Sequence, residues 1–251
     1  MNLGLAGRTY VVTGGTRGLG RATAEVLVAE GANVVVSSRS QESVDETVAA
    51  LGANAAGIVA DNADAATAGR LVETARERFG GLDGALISVG GPVAGTIMER
   101  SEEEWRAAFD SVFLGAVRVA TTVAEALGDG GSIAFVLSTS AKMPVPNLGI
   151  SNGLRPGLAM AAKTLADELG PRGIRVNGLL PGRVDTDRVQ ELDAASDDPE
   201  ATKARHIEGI PLRRYGDPAE FGRTAAYLLS PASGYVTGVM LPVDGGQSRG
   251  L

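Results

Sequence analysis

A glycine-rich stretch directly after a short apolar run constrains the fold of this chain more than any other feature. The run Thr9–Val12 is followed at once by Thr13–Gly20, which reads Thr-Gly-Gly-Thr-Arg-Gly-Leu-Gly, and a helical pattern begins at about Arg21. A nearly continuous apolar run of this length is typical of a strand buried on both faces of a parallel sheet. The order of strand, glycine loop and helix therefore indicates a βαβ unit.

Each glycine of this loop has a physical role in such a unit. Gly14 permits the tight turn after the strand, Gly18 lets backbone N–H groups approach a pyrophosphate, and Gly20 lets the helix pack close to the sheet. The N-terminus of the helix adds partial positive charge for the phosphates. The motif predicts a dinucleotide-binding loop, and its other predicted contact residues are Thr16, Arg17 and Leu19.

The rest of the chain continues the alternation of short β-rich runs and longer amphipathic stretches. The predicted strands are Thr9–Val12, Asn33–Ser37, Ala56–Ala60, Gly84–Ser88, Ile133–Leu137, Ile174–Leu179 and Met240–Val243. The predicted helices are Arg21–Glu30, Glu42–Leu51, Ala66–Phe79, Glu102–Leu127, Leu154–Leu169 and Ala219–Leu229. This regularity predicts an α/β fold of the Rossmann type, a doubly wound parallel sheet of about seven strands with helices on both faces.

The chain shows no linker, repeat or break in composition, so residues 1–251 are predicted to form a single NAD(P)-binding domain. One stretch, at about 182–214, lacks a clear periodic pattern. A long irregular segment inside a compact domain is usually functional, and here it is predicted to be a lid over the substrate.

The end of the second predicted strand bears on the choice of cofactor. An NAD site places an acidic residue there for the ribose 2′-hydroxyl, whereas a 2′-phosphate calls for arginine. The sequence has Ser38 and Arg39 at this point, with Arg17 on the glycine loop opposite. These residues predict NADP(H) in preference to NAD(H), although Arg39 could also be an ordinary solvated loop residue.

Composition excludes several classes of function. The formal charge of -7 disfavours a nucleic-acid partner, because an acidic surface repels phosphate backbones. The absence of cysteine excludes disulfides, thiolate metal sites and a cysteine nucleophile, and no metal site is predicted. No run approaches the roughly 18 unbroken apolar residues of a membrane span. We therefore expect a cytoplasmic protein without a membrane partner.

Several longer motifs then become informative together. They are Asp61, Leu82-Asp83, Gly131–Ile133, Glu168–Asn177, Pro181-Gly182 with Thr186, Pro211–Arg214 and Val243–Gly246. With the Thr13–Gly20 loop, they make the chain resemble the compact single-domain branch of the short-chain dehydrogenase/reductase family over nearly its whole length. The resemblance implies an oxidoreductase that acts on a small-molecule carbonyl substrate. It also implies a homodimer or homotetramer packed through the helices Glu102–Leu127 and Leu154–Leu169.

The resemblance implies further cofactor contacts. Asp61 and Asn62 would lie by the adenine, and Gly90 with Gly91 would lie by the ribose. The stretch from Pro181 and Gly182 to Thr186 would close over the nicotinamide.

The catalytic positions of the family are less well matched. The family has a tyrosine and a lysine four residues apart, a serine thirteen residues before that tyrosine, and an asparagine on the preceding helix. Counting back from Leu165–Asn177 without gaps places Ser151 at the tyrosine position and Arg155 at the lysine position. Ser138 fills the serine position, and Val112 stands where the asparagine is expected.

These residues suggest an altered chemistry. Ser138 and Ser151 can donate hydrogen bonds, and Arg155 is a permanent cation that can stabilise an oxyanion or hold the nicotinamide ribose. Neither serine nor arginine is a proton donor near neutral pH, so water or the substrate would supply the proton. A substrate that gives a stabilised anion fits best: an enone, a quinone-like ring or a β-dicarbonyl.

Some alternatives stay open. Lys142 could reach the substrate, and His206, the only histidine, could donate a proton from the predicted lid. The protein could instead be a catalytically silent NADP(H)-binding regulator or an inactive partner subunit. A lyase or dehydratase that uses the cofactor structurally is a third interpretation.

Overall fold

The computed structural model describes residues 2–250, and its centre is one seven-stranded parallel sheet. The strands are β1 (Thr9–Val12), β2 (Asn33–Ser38), β3 (Ala55–Val59), β4 (Gly84–Ser88), β5 (Ser132–Val136), β6 (Arg175–Pro181) and β7 (Met240–Val243). Their spatial order is β3-β2-β1-β4-β5-β6-β7, and each pair of neighbours is parallel. The predicted doubly wound sheet is confirmed, and the bounds of all seven strands lie within two residues of the predicted ones.

Nine α-helices connect the strands within residues 2–250. They are α1 (Gly18–Ala29), α2 (Gln41–Leu51), α3 (Thr67–Phe79), α4 (Glu102–Ala108), α5 (Gly115–Ala126), α6 (Gly149–Leu169), α7 (Asp187–Ala194), α8 (Pro199–Gly209) and α9 (Pro218–Leu229). The helix predicted from Leu154 begins earlier, at Gly149, because the Gly-Ile-Ser-Asn segment before it is already helical.

Alternation of side chains along the buried strands creates a core on each face of the sheet. In β1, Val11 points to the face covered by α3, α5 and α6, whereas Tyr10 and Val12 point to the face covered by α1 and α9. Phe135 of β5 and Phe221 of α9 are fully buried, one in each core. Apart from Tyr10, Phe135 and Phe221, the buried members of both cores are Ala, Val, Leu and Ile, so packing depends on aliphatic side chains.

The segment predicted to be irregular, residues 182–214, is largely helical, and that prediction is corrected. It contains α7 and α8. Asp198 caps α8 by accepting a hydrogen bond from the Ala201 N–H at 3.0 Å, and Pro199 occupies the first helical position. These start signals are standard, but the helices are short and polar, so their apolar periodicity is too weak to identify them.

The helix predicted over 102–127 is also interrupted. Residues Phe109–Leu114 form a π-helical turn between α4 and α5, a feature that often occurs at functional sites. By length and composition, Glu102–Ala126 could cross a membrane. In this fold the buried residues of α5, among them Ala116 and Val119, instead pack in the core beside α3 and the sheet. The hydropathy of this helix is explained by its place in the core.

Gly84, the first residue of β4, is a test of how closely the central strands are packed. A Cβ atom at this position would lie 2.1 Å from the carbonyl oxygen of Ser132 in β5, so backbone would have to move. We expect Gly84→Ala to lower the free energy of unfolding by about 3 kcal/mol, measured by urea denaturation. Gly81→Ala is the control, because a Cβ at Gly81 meets nothing within 4 Å. Equal urea midpoints for Gly84→Ala and Gly81→Ala would contradict the close approach of β4 to β5 at Gly84.

Candidate nucleotide-binding and catalytic site

The site forms where the connections after β1 and β4 diverge. The two strands are neighbours, and their ends are joined through Thr13 and Ser88. The Thr13 hydroxyl donates to the Ser88 carbonyl at 2.8 Å and accepts from the Ser88 N–H at 2.9 Å. In open parallel sheets, ligands bind in the crevice between two neighbouring strands whose connections leave on opposite faces of the sheet.

Close backbone packing explains two glycines of the loop. A Cβ at Gly14, which has a φ of +56°, would lie 2.8 Å from the Ser88 carbonyl oxygen. A Cβ at Gly20 would lie 2.3 Å from the carbonyl oxygen of Gly14. Neither position admits a side chain while the loop keeps this shape, so the loop exposes backbone rather than side chains to the crevice.

The start of α1 is open to an anion. Arg17 occupies the N-cap position without a capping side-chain hydrogen bond, and the first turn has no acidic residue. The first N–H groups of a helix need an acceptor from outside it, and they carry partial positive charge. Gly18, Leu19 and the loop residue Thr16 are half-buried at this end, so the loop can receive a cofactor phosphate there.

The glycine loop lies beside the end of β2, so the predicted selectivity residues are on adjacent loops. The Gly15 N–H donates to the Ser37 carbonyl at 3.1 Å. Ser38 is half-buried at the last position of β2, and Arg39 follows it on the surface. Arg17 and Arg39 are both exposed, and neither forms an ion pair with any of residues 2–250.

Asp61 and Asn62 form the next loop along the sheet edge. The Ala60 N–H donates to the Ser38 carbonyl at 2.9 Å, so this loop adjoins the end of β2. The Asp61 carboxylate accepts from the Ala63 N–H at 2.9 Å, and Arg118 approaches the Asn62 carbonyl at 3.5 Å. The side chain of Asp61 is exposed, and its loop is held by α5.

Arg155 is the most unusual group of the crevice. Its side chain reaches from α6 to the carboxyl ends of β4 and β5 and is buried, with a relative exposure of 4%. Nη1 donates to the Val136 carbonyl at 2.8 Å, and Nη2 lies 3.5 Å from the Gly90 carbonyl. Nε has no hydrogen-bond partner among residues 2–250, and no ion pair joins Arg155 to a described carboxylate.

The charge of Arg155 survives this burial. Loss of solvent lowers its pKa to about 10, which keeps the guanidinium protonated at neutral pH. A buried cation held only by carbonyl dipoles is costly, and an orphaned Nε adds to that cost. The arrangement fits a partner that arrives with a ligand, such as a ribose hydroxyl or an anionic oxygen.

Two buried serines meet where the turn after β5 packs against α6. The Ser151 and Ser140 hydroxyls are 2.9 Å apart, and both side chains are buried. Ser138 is half-buried and accepts from the Ser140 N–H at 3.1 Å. The sequence motifs do not single out Ser140, since only its contact with the next helix distinguishes it from its neighbours in Ser-Thr-Ser.

The chain after β6 lies across the crevice. Pro181 ends β6, and the Gly182 N–H donates to the Val243 carbonyl at 3.1 Å. A Cβ at Gly18 would be 3.6 Å from the methyl carbon of Thr186, so Thr186 lies close to the phosphate loop. The start of the 182–214 segment therefore lies beside the phosphate loop, while a contact of Pro181, Gly182 and Thr186 with the nicotinamide stays a prediction.

His206 belongs to a separate polar cluster. Its Nδ1 lies 3.2 Å from the Tyr215 hydroxyl and 3.3 Å from Asp193 Oδ1, and its Nε2 lies 3.0 Å from Arg183 Nη2. Tyr215 donates to Asp193 Oδ2 at 2.7 Å, and Arg183 donates to Oδ1 at 3.0 Å. Burial, followed by the charge of Arg183, lowers the pKa of His206, which is therefore neutral near pH 7.

This cluster joins α7 and α8 to the ends of the segment, and none of its hydrogen bonds reaches Ser138, Ser151 or Arg155. The structure thus gives His206 a set of partners outside the candidate catalytic group. Lys142 is exposed beyond the short helical turn that follows Ser138.

Comparison with known proteins identifies the family. A family model described as enoyl-(acyl carrier protein) reductase matches residues 14–248. A 2,5-dichloro-2,5-cyclohexadiene-1,4-diol dehydrogenase from Sphingobium indicum is 36% identical over 96% of this chain and 97% of its own. The human dehydrogenase/reductase SDR family member 4 is 37% identical over 96% of this chain and 88% of its own. This chain belongs to the short-chain dehydrogenase/reductase family.

Solved structures agree with this assignment. A short-chain dehydrogenase/reductase from Brucella melitensis is 31% identical, covers 100% of both chains and superposes with a TM-score of 0.92. Levodione reductase is 27% identical with a TM-score of 0.93, covering 98% of this chain and 99% of its own. The protein is an oxidoreductase of a family that uses nicotinamide cofactors, acts on small molecules and is commonly oligomeric.

The uncompensated charge of Arg155 predicts a cost to stability without ligand. We expect Arg155→Met to raise the thermal midpoint of the ligand-free protein by about 2–5 °C, because it replaces a desolvated cation with an apolar side chain of similar length. Arg175→Met is the control, since its guanidinium donates to three carbonyls and to the Ser233 hydroxyl and is half-buried. Arg175→Met should lower the thermal midpoint. A lower midpoint in Arg155→Met as well would contradict this interpretation of Arg155.

Proposed function

We propose that the protein is an NADP(H)-dependent reductase of conjugated carbonyl compounds, with Ser138, Ser151 and Arg155 as its catalytic group. The buried Arg155 guanidinium, without a carboxylate partner at the carboxyl ends of β4 and β5, carries the proposal. A group of this kind stabilises negative charge that appears during a reaction, and such stabilisation often contributes more to catalysis than any other single effect.

We infer that Ser151 and Arg155 stand where the family has its tyrosine and lysine, and Val112 where it has its asparagine. The helical start at Gly149 supports this register, because it places positions 151 and 155 one turn apart on the same face of α6. Both side chains are buried, and both face the end of β5 or the turn that follows it.

The substrate class follows from what these residues can do. A bound reduced nicotinamide would supply a hydride to the substrate. Arg155 would then stabilise negative charge on the substrate oxygen, and Ser138 and Ser151 would orient that oxygen by hydrogen bonds. None of the three donates a proton readily at neutral pH, so the proton comes from water. This suits an enone or a quinone-like ring, whose reduction gives a stabilised anion.

Two further observations support a ring-shaped apolar substrate. The loops after β4 and β5, which leave the sheet at the same edge as the crevice, carry exposed apolar side chains, namely Val93, Ile97, Met98 and Met143. Those loops are joined, since the Gly95 N–H donates to the Asn147 carbonyl at 2.7 Å. The relative from Sphingobium indicum is named for a cyclohexadienediol, a compound of the same shape.

The proposed cofactor preference rests on the exposed pair Arg17 and Arg39. Both lie on adjacent loops at the carboxyl edge of the sheet, where no described acidic residue pairs with them. Two guanidinium groups there suit a 2′-phosphate. A homodimer or homotetramer is also proposed, with Phe109, Leu114 and Met160 as exposed apolar side chains on the helices that would pack together.

Oxidation of NADPH in the presence of ketones, enones and quinones tests the function, followed at the absorbance of the reduced nicotinamide. We expect turnover of the conjugated carbonyls. Arg155→Ala should lower kcat by about 100-fold or more, because it removes the oxyanion stabilisation. Ser138→Ala, which removes one neutral hydrogen bond, should cost about tenfold or less.

Equal reductions of kcat in Arg155→Ala and Ser138→Ala would contradict the proposed role of Arg155. Tight binding of NADPH without oxidation across the whole panel would contradict an enzymatic function and favour a catalytically silent regulator or subunit.

Cofactor selectivity is tested by Arg39→Ala. We expect the Kd for NADPH to rise about tenfold or more while the Kd for NADH changes little, because only NADPH carries the 2′-phosphate. Nicotinamide fluorescence on binding gives both constants. Arg78→Ala is the matched control, since Arg78 is an exposed arginine in the last turn of α3. A parallel loss of both cofactors in Arg39→Ala would remove the basis for NADP(H) selectivity.

A further inference from the structure

Arg188, in the first turns of α7, lies over the strip Gly90–Pro92 that follows β4. Its Nη2 donates to the Pro92 carbonyl at 3.0 Å. A Cβ added at Gly91 would lie 3.4 Å from Arg188 Nε, an ordinary van der Waals distance, so the guanidinium lies next to the backbone of this strip.

The same strip is approached by a second arginine from a different helix. Arg155 of α6 reaches the Gly90 carbonyl from the interior, while Arg188 of α7 reaches the Pro92 carbonyl from the solvent side. Pro92 itself is buried and Gly91 is exposed. Two guanidinium groups thus converge on three consecutive residues of the crevice in a protein with a formal charge of -7.

The contacts of Arg188 leave it able to bind a ligand. Its described acidic neighbour is Glu191, with 3.6 Å between the charged atoms and side-chain exposures of 43% and 58%. Such an exposed pair is weak, and it leaves other donors of the guanidinium free for a stronger acceptor. Thr186, two residues before Arg188, lies close to the phosphate loop, because a Cβ added at Gly18 would be 3.6 Å from the Thr186 methyl carbon.

We propose that Arg188 binds an anionic oxygen group in the crevice, held between α7 and the Gly90–Pro92 strip. The oxyanion comes from one of two sources: the diphosphate of the nicotinamide cofactor or a carboxylate on the substrate. Arg155, behind the strip, adds to the positive potential there. This deepens the proposed function and rests on it.

Equilibrium binding to Arg188→Gln distinguishes the two sources without any need for turnover. If the cofactor is the source, the Kd for NADPH rises about tenfold, and its dependence on NaCl becomes weaker because one charge contact is lost. If the substrate is the source, the Kd for NADPH is unchanged. The NADP⁺ complex of the unsubstituted protein, which has no hydride to transfer, then binds 3-oxocyclohex-1-ene-1-carboxylate more tightly than its methyl ester, and Arg188→Gln removes that preference.

Arg205→Gln is the matched control, because Arg205 is an exposed arginine of α8 in the same segment and its hydrogen bond is to Thr202. It should leave every constant unchanged. Arg188→Lys keeps the charge and should restore part of the binding. An unchanged Kd for NADPH with no preference for the acid would overturn the proposal.

Weaker binding with an unchanged salt dependence and no preference for the acid would also overturn it, since Arg188 would then only brace the loop at Pro92. Failure of NADPH oxidation with these binding results intact would contradict the proposed function alone.

Discussion

The connections after β1 and β4 leave the sheet on opposite faces, and the site depends on this divergence. α1 packs in the core that contains Tyr10 and Val12, while α5 packs in the core on the other side. The two strand ends are held together by the reciprocal hydrogen bonds of Thr13 and Ser88. Between the two strand ends lies the crevice, and the backbone of the glycine loop forms one side of it. Glycine is required at position 20, because a Cβ there would lie 2.3 Å from the Gly14 carbonyl oxygen.

Arg155 fills the innermost part of that crevice and sets its electrostatics. In most enzymes a buried charge is paired, because an isolated ion loses more solvation than carbonyl dipoles return. Here the described partners are two carbonyls, and Nε has none. The desolvated guanidinium lowers the stability of the ligand-free protein, and for the same reason it binds an oxygen-rich ligand more strongly. The cost in stability and the proposed role of Arg155 therefore have the same cause, the missing partner of a buried cation.

The architecture was predictable because its signals are regular. Buried parallel strands give continuous apolar runs, and glycine spacing marks the first turn, so the sheet and its order of elements follow from the sequence. α7 and α8 were not predicted, because they are short, polar helices. They are held by the polar cluster of Arg183, Asp193, His206 and Tyr215 rather than by an apolar face. Periodicity carries no information about such tertiary hydrogen bonds.

The candidate site was predictable to a different extent. Counting back from the matched segment Leu165–Asn177 was enough to single out Ser151 and Arg155, and both side chains are buried in the structure. Ser140 and Arg188 could not be found in that way, since each matters through a residue distant in the chain: Ser151 for the first and Pro92 for the second. Sequence spacing reports neighbours along one helix or loop, whereas these contacts join different elements of the fold.

The choice of arginine rather than lysine at position 155 has a physical consequence. Burial lowers the pKa of any cation, and a lysine starts about two or more units below arginine, so desolvation can bring it near neutrality. Arg155 keeps its charge because its lowered pKa is still about 10. A lysine can assist a neighbouring tyrosine by its charge and also exchange protons, whereas Arg155 supplies only fixed charge and directed N–H donors. The residues of this crevice therefore favour a reaction whose negative charge is stabilised by the enzyme and whose proton comes from elsewhere. That division of labour distinguishes the proposed conjugated carbonyl substrate from a simple ketone, whose alkoxide product needs a proton immediately.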